Sequence, residues 1–401
     1  MYCVKKMTDD MYWVGANDRR LALFENLYPI PAGVSYNAYL ILDEKTVLID
    51  TVDKGAAALF FENIEKVLAG RSLDYLIINH MEPDHAAAIG DLIRRYPDLK
   101  IVSNAKAITM IRQYFDFDVE ACAIAVKEGE ILSIGRHVFR FLMAPMVHWP
   151  ETMVTYDEAD RILYSGDAFG TFGAVNGNLY ADEMNFERDW LPDARRYYAN
   201  IVGKYGAQVQ ALLKKAAGLE IAAICPLHGP VWRKDLDWFI GKYDLWSSWQ
   251  PEEQAVMIAC GSIYGHTENA AEILAFELAE AGVRNIVMYD VSSTDVSHLV
   301  AEAFRCSHLV LACSTHNAEI FPPMHHFLLD LKAHNMQNRT VALIENGTWA
   351  SSSGKLMAEL LSGMKTMDLL EGTVSLRSAA TEDQRVALRD MAQRIAASLN
   401  G

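Results

Sequence analysis

The stretch Tyr75-Leu76-Ile77-Ile78-Asn79-His80-Met81-Glu82-Pro83-Asp84-His85 runs from an apolar segment straight into four potential metal ligands within six residues. An apolar strand that breaks into two imidazoles and two carboxylates is costly, because clustered ionisable groups resist desolvation. A bound cation removes that cost. The mixture of nitrogen and oxygen donors also bears on which metal it is, and so on whether the chemistry is hydrolytic or redox.

Outward from this stretch, the first half mixes strand pairs with helices. Residues 37–42 and 46–49 read as a hairpin around Asp43-Glu44-Lys45, residues 56–68 as a helix, 75–79 as a strand and 86–95 as a helix. Strands are expected at 138–143, 153–156, 161–165 and 221–225, with a long helix over 192–217. Hairpins and helices around an apolar core predict an αββα sandwich with function carried by loops at one edge. After Trp249-Gln250-Pro251-Glu252-Glu253 the pattern changes. Apolar strands at 255–260, 286–289, 309–312, 341–344 and 373–376 alternate with helices over 267–281, 295–305, 324–334, 354–364 and 381–399. Such βα alternation predicts a doubly wound, five-stranded parallel sheet. The chain is thus expected to combine α+β and α/β architecture in two domains, 1–250 and 251–401.

Within the first half, His148, Asp167 and His228 also follow apolar runs. Each alone reads as a polar loop residue; together with His80, Glu82, Asp84 and His85 they share one placement, where strands end. The pattern HxExDH, a distant His, a strand-ending Asp and a final His resembles the metallo-β-lactamase fold as flavodiiron proteins use it. The segments HWPETM (148–153), YSGDAFGTFGA (164–174), RYYANIV (196–202) and HGPVWR (228–233) carry the same resemblance. Hydrolases of that superfamily have HxHxDH and bind zinc, whereas this chain has Glu82 at the second position. An added hard oxygen ligand moves the site towards iron or manganese. The resemblance implies that His80, Glu82 and His148 bind one iron, that Asp84, His85 and His228 bind another, and that Asp167 bridges them. His85 is open to a second reading, as a residue that supports the metal from outside its ligand shell.

In the second half, Ser262-Ile263-Tyr264-Gly265-His266-Thr267 joins the first strand to its helix. Hydroxyls, a permissive glycine and a helix N-terminus suit a phosphate. There is no Walker lysine and no GxGxxG, so nucleotide triphosphate and dinucleotide readings are weak. The loop resembles the flavodoxin phosphate loop for FMN, although His266 stands where a small polar residue is common. Ser314-Thr315-His316-Asn317-Ala318 and Asn346-Gly347-Thr348-Trp349-Ala350 follow the third and fourth strands, at the carboxyl edge where doubly wound sheets bind ligands. They are expected to hold the flavin edge, with Trp349 covering part of the ring. His137, His298, His308, His325, His326 and His334 read as structural or surface residues, because no acidic or thiol partners repeat around them in sequence.

The net charge of −16 argues against nucleic acid or an anionic membrane as partner. Six scattered cysteines without a CxxC pair exclude an obvious zinc ribbon or iron–sulfur cluster and read as reduced thiols. With no apolar leader at Met1-Tyr2-Cys3-Val4 and no long apolar span, the chain is expected to be cytoplasmic. The flavodiiron resemblance implies a diiron- and FMN-dependent oxidoreductase. It would use four electrons to reduce dioxygen to two waters, or two to reduce paired nitric oxide to nitrous oxide, with a slight lean to dioxygen. It also implies a head-to-tail homodimer, or a dimer of such dimers. The chain ends at Gly401 after the last helix, so electrons are expected from a separate donor, a rubredoxin-like protein or a reduced deazaflavin. The competing readings are a zinc-dependent hydrolase with an accessory flavin domain, and a flavodoxin-type carrier with a structural metal domain.

Overall fold

A computed structural model of the chain describes residues 1–400. The chain divides into two compact units, residues 1–198 with 207–244, and residues 245–401 with the short segment 199–206. The change of unit at 244/245 lies a few residues before the expected boundary. Residues of the expected linker pack within the second unit: Arg339 Nη1 donates to Trp249 O (2.7 Å), and Trp249 Nε1 donates to His334 O (3.2 Å).

The first unit contains two main sheets. One has the strand order Lys5–Lys6, Met11–Trp13, Tyr39–Leu42, Thr46–Ile49, Tyr75–Ile77, Lys100–Ser103, Ala123–Ala125. The other has the order Ile131–Ser133, Val138–Met143, Met153–Asp157, Ile162–Tyr164, Ala223–Cys225. Their facing residues form one core: Tyr39, Ile41, Val47, Ile49 and Ile77 meet Phe139, Phe141, Met153 and Tyr164. Between these positions Leu40, Leu48 and Leu76 are equally buried, which is why the strands read as unbroken apolar runs rather than alternating ones. Helix Ala57–Leu68 buries Phe60, Phe61, Ile64, Val67 and Leu68 at helical spacing and ends at Ala69 in the left-handed region, φ 49°.

In the second unit the order is Ile286–Asp290, Glu253–Gly261, Cys306–His316, Arg339–Asn346, Met367–Leu369, all parallel. This is the doubly wound order with the reversal between the first and third strands in sequence. Helices His266–Glu280 and Glu382–Asn400 cover one face, burying Leu274, Leu278, Met391 and Ile395 against Val256, Ile258 and Val310.

Four local expectations are corrected. The expected fifth strand is only the later half of the fifth position: Met367–Leu369 and Val374–Leu376 both pair with Arg339–Asn346, the turn between them using Gly372 at φ 84°. The long helix over 192–217 is broken into Leu191–Tyr197, a π-turn at Tyr198–Val202, a 3-10 turn at Gly203–Tyr205 and Gly206–Ala216. A Cβ on Gly206 would lie 2.3 Å from Ser247 O, so close backbone packing sets that break. The helix over 86–95 is two helices, Pro83–Ala86 and Ile89–Arg95.

His137, expected to lack acidic partners, has them from distant turns. Its Nδ1 is 2.7 Å from Asp157 Oδ2 and its Nε2 is 3.2 Å from Asp10 Oδ2. Arg136 bridges Asp10 and Asp160 beside it, and Asp43 accepts from the His137 backbone N–H. Among the described residues all six cysteines are free, five of them buried, and no helix is long and apolar enough to cross a membrane.

Burial and Arg136 oppose protonation of His137, but the Asp157 and Asp10 carboxylates outweigh them and raise its pKa above the ordinary histidine value of 6.5. Its contribution to stability is therefore complete below about pH 6.5 and is lost as pH rises through the raised folded-state value. The difference in urea midpoint between the wild type and His137→Gln is expected to be largest at about pH 6 and to shrink towards alkaline pH. A difference independent of pH would contradict the clamp. In the second unit the Arg339 guanidinium, 1% exposed as a residue, donates to the carbonyls of Ala303, Phe304, Trp249, Gln337 and Asn338. Arg339→Met orphans these buried acceptors and is expected to cost about 3 kcal/mol in chemical denaturation. A loss under about 0.5 kcal/mol would show that water replaces the guanidinium.

Candidate functional site

The first unit brings together all seven expected metal-site residues, in two groups: His80, Glu82, His148 and Asp167; and Asp84, His85 and His228. The division falls at Pro83. His80 and Glu82 lie on the loop after strand Tyr75–Ile77, while Asp84 and His85 belong to the single-turn helix that Pro83 opens. His148 stands in the turn between Val138–Met143 and Met153–Asp157. Asp167 follows Ile162–Tyr164 across Gly166, whose φ of 63° suits glycine, and His228 follows Ala223–Cys225.

The loop is anchored from below. Asp50, fully buried at φ 55°, accepts from Asn79 N (2.7 Å) and Asn79 Nδ2 (2.8 Å). Asn79 Oδ1 in turn accepts from Thr155 Oγ1 (2.7 Å), and Asn79 O accepts from Met153 N (3.0 Å). The ends of both sheets are thereby tied together immediately before His80.

Asp167, 1% exposed, faces each group with a different oxygen. Its Oδ2 is 3.0 Å from His148 Nε2 and 3.3 Å from His80 Nε2. Its Oδ1 is 3.2 Å from His85 Nε2 and 3.7 Å from His228 Nε2. Glu82 Oε2 lies 3.2 and 3.0 Å from the Nε2 atoms of His80 and His148. Asp84 Oδ2 lies 3.3 Å from both His85 and His228 Nε2, and those two nitrogens are 2.9 Å apart. Donor atoms bound side by side at about 2.1 Å from a metal stand about 3 Å from one another, which is the spacing found in both groups. Asp84 Oδ1 and Oδ2 and Asp167 Oδ1 are buried without a hydrogen bond, as acceptors reserved for a cation would be.

The electrostatics of the protein alone follow the same geometry. Burial disfavours charge on His148, but Asp167 and Glu82 outweigh it and hold its pKa up at about 9. Burial likewise opposes ionisation of Asp167, yet His80, His85 and His148 hold its pKa well below the carboxylate range. The carboxylates demand positive charge, which protons on the histidines or a metal can supply.

Three residues at this site are not signalled by the sequence. Glu151 Oε1 lies 2.8 Å from His80 Nδ1; it is part of the HWPETM segment, which marks its neighbourhood but not its role. Tyr197 is fully buried, its ring 5.4 Å from His228 and its hydroxyl without a hydrogen bond. Glu25, in the turn of a short hairpin, has its carboxyl pushed up to about 8 by burial and by Glu82 beside it. No spacing rule in the sequence links Glu25 to position 82.

The second unit carries a cavity of about 460 Å³ at the carboxyl edge of its sheet. Ser262, Ile263, Tyr264, His266, Thr267, Ser314, Thr315, His316, Asn317, Ala318, Asn346, Gly347, Thr348, Trp349 and Ala350 line it. Gly265 does not line it; its role is backbone, at φ 89° as the helix N-cap, with its N–H donating to Ser262 Oγ (3.0 Å). Thr267 is buried with its Oγ1 2.8 Å from Ser314 Oγ. Tyr264 and Trp349 are 91% and 92% exposed, so two aromatic faces stand free at the rim. Ser378, absent from the expected set, also lines the cavity; it follows the last short strand and exchanges hydrogen bonds with Asn346, N to Oδ1 at 3.0 Å and O from Nδ2 at 2.9 Å.

Comparison with known proteins agrees with both halves. A family model described as "ODP family beta lactamase" matches residues 34–229. The chain is 31% identical to the rubredoxin-oxygen oxidoreductase of Megalodesulfovibrio gigas, covering 98% of each chain. It is 29% identical to a nitric oxide reductase of Moorella thermoacetica, covering 90% of each. The crystal structure of the flavodiiron protein from Giardia intestinalis superimposes with a TM-score of 0.93 at 25% identity, covering 99% of this chain and 97% of that one. With two candidate ligand groups facing one carboxylate and a cavity on a doubly wound sheet, the chain belongs to the flavodiiron protein family.

Proposed function

We propose that this protein is a flavodiiron reductase, which passes electrons from an external donor through FMN to a diiron pair and there reduces dioxygen to water or nitric oxide to nitrous oxide. The observation that carries this reading is Asp167, which turns one oxygen to each of two groups of buried imidazoles and carboxylates. The donor set fits iron: four imidazoles and three carboxylates are harder than the ligands of zinc hydrolases with histidine at the position of Glu82. His80, Glu82 and His148 would hold one iron, Asp84, His85 and His228 the other, and Asp167 would bridge them. The spacing of His85 Nε2 from Asp167 Oδ1 (3.2 Å) and His228 Nε2 (2.9 Å) supports its being a direct ligand. In the second unit, Ser262, Thr267 and the backbone around Gly265 would take the FMN phosphate. The loops at 314–318 and 346–350 would take the ring. A loaded pair supplies one-electron redox at each metal and positions for a gas, and FMN supplies a two-electron store.

The protein's own groups do the remaining work. Phe24, Tyr36 and Tyr197 surround His228 with ring centroids 5.3, 5.9 and 5.4 Å away, an aromatic wall that keeps this imidazole buried and fixed in place. Burial, followed by Asp167 and Asp84, holds the Tyr197 phenol pKa well above 10, so it stays protonated and able to donate. Its free O–H can meet an oxygen that gains negative charge during reduction. A rubredoxin-type protein is the proposed donor, with a reduced deazaflavin as the other candidate. The proposed assembly is a head-to-tail homodimer, or a pair of them, in which the flavin of one subunit serves the metal pair of the next. The proposed compartment is the cytoplasm.

Metal analysis of the purified protein is expected to give about two irons per chain, and Asp167→Asn should lose most of that iron while keeping its flavin. Zinc in place of iron, with esterase or thioesterase activity, would overturn the proposal. Thr267→Val is expected to weaken FMN binding about tenfold with the iron content unchanged; unaltered flavin affinity would remove the phosphate assignment. Steady-state rates with each gas and a reduced rubredoxin-type donor are expected to favour dioxygen, and faster nitric oxide turnover would reverse that order.

A further inference from the structure

Three of the four imidazoles that face Asp167 are backed in three different ways. His80 Nδ1 meets the Glu151 carboxylate, Oε1 at 2.8 Å, with Thr152 Oγ1 farther off at 3.4 Å. His228 Nδ1 meets a backbone carbonyl, Ser35 O at 2.8 Å. His85 Nδ1 is buried and meets nothing. Glu151 is itself unusual. Its side chain is 0% exposed, Oε1 also accepts from Met81 N (2.9 Å), and Oε2 is buried without any hydrogen bond. A carboxylate so placed is costly unless positive charge lies close by, and the imidazole it touches is His80.

Resting on the diiron reading, we propose that Glu151 is a positioning residue that makes the two metal positions unequal. A carboxylate on Nδ1–H fixes the tautomer, with Nε2 free for the metal, and increases electron donation from the ring; a carbonyl does so less, and an unpartnered Nδ1 not at all. The iron held by His80, Glu82 and His148 is therefore the more tightly bound of the two. It also accepts an electron, passing from ferric to ferrous, at lower potential than its neighbour. The inequality comes from a residue outside the ligand set, since each position has its own carboxylate and both share Asp167.

Glu151→Gln tests this, because the amide oxygen can still accept from His80 and Met81 while the charge is gone. The protein is loaded with 57Fe, challenged with a ferrous chelator, and followed by Mössbauer spectroscopy and by a potentiometric titration with dithionite. One iron of the pair is expected to leave about 10–100-fold more readily than in the wild type. Only one quadrupole doublet should shift, and the lower of the two potentials should rise. Equal change at both irons, or change at neither, overturns the proposal. Should the glutamine variant fold poorly, Glu151→Asp keeps the charge but withdraws it from Nδ1, and the same one-sided loss is expected there; a symmetric effect is again fatal. A wild-type protein that takes up no iron pair overturns the diiron reading itself, and shows this before any substitution is made.

Discussion

A single carboxylate, Asp167, buried to 1% exposure among four imidazoles, is the constraint on which the first unit depends. Neither oxygen can be left without positive charge in that environment. The imidazoles and Asp167 come from four separate loops, which follow the strands ending at residues 77, 143, 164 and 225. Bringing them to one point needs two sheets stacked with their ends in register. The shared core of Tyr39, Ile49, Phe141 and Tyr164 sets the stacking, and the Asp50–Asn79–Thr155 chain sets the ends.

The second unit meets a different requirement with a simpler device. Parallel strands present all their carboxyl ends at one edge, so ligand loops need no convergence beyond that of the sheet. Buried anchoring is confined to a few groups, such as Thr267 on Ser314 and Asn346 on Ser378. The aromatic rings at the rim remain exposed, ready for a planar ligand.

Much of this architecture is legible in residue order. The strand at 46–49, the strand at 138–143 and all five βα helices of the second half follow from apolar periodicity, and the observed elements differ there by only a few residues. The candidate ligand residues are legible because histidines and acids seldom interrupt apolar strands unless a cation offsets their desolvation. What stays hidden depends on distance in space. Asp10 reaches His137 from one turn and Asp157 and Asp160 from another, and no spacing connects either turn to position 137. Glu151 and Tyr197 sit inside recognisable segments, yet only folding puts a carboxylate behind His80 and a phenol beside His228. The broken helix after Tyr197 is invisible to periodicity, which registers neither a π-turn nor the close backbone approach at Gly206.

Pro83 gives the opening motif a mechanical property of its own. Upstream of it, His80 and Glu82 ride on a loop pinned to the sheet; downstream, Asp84 and His85 ride on a helical turn. Within residues 80–85 the step from one group to the other is thus made at a single peptide junction, whereas His148, Asp167 and His228 are set by the loops of the other sheet. A change at this junction alone would turn Asp84 and His85 relative to His80 and Glu82, while His148, Asp167, His228 and every strand stayed where they were.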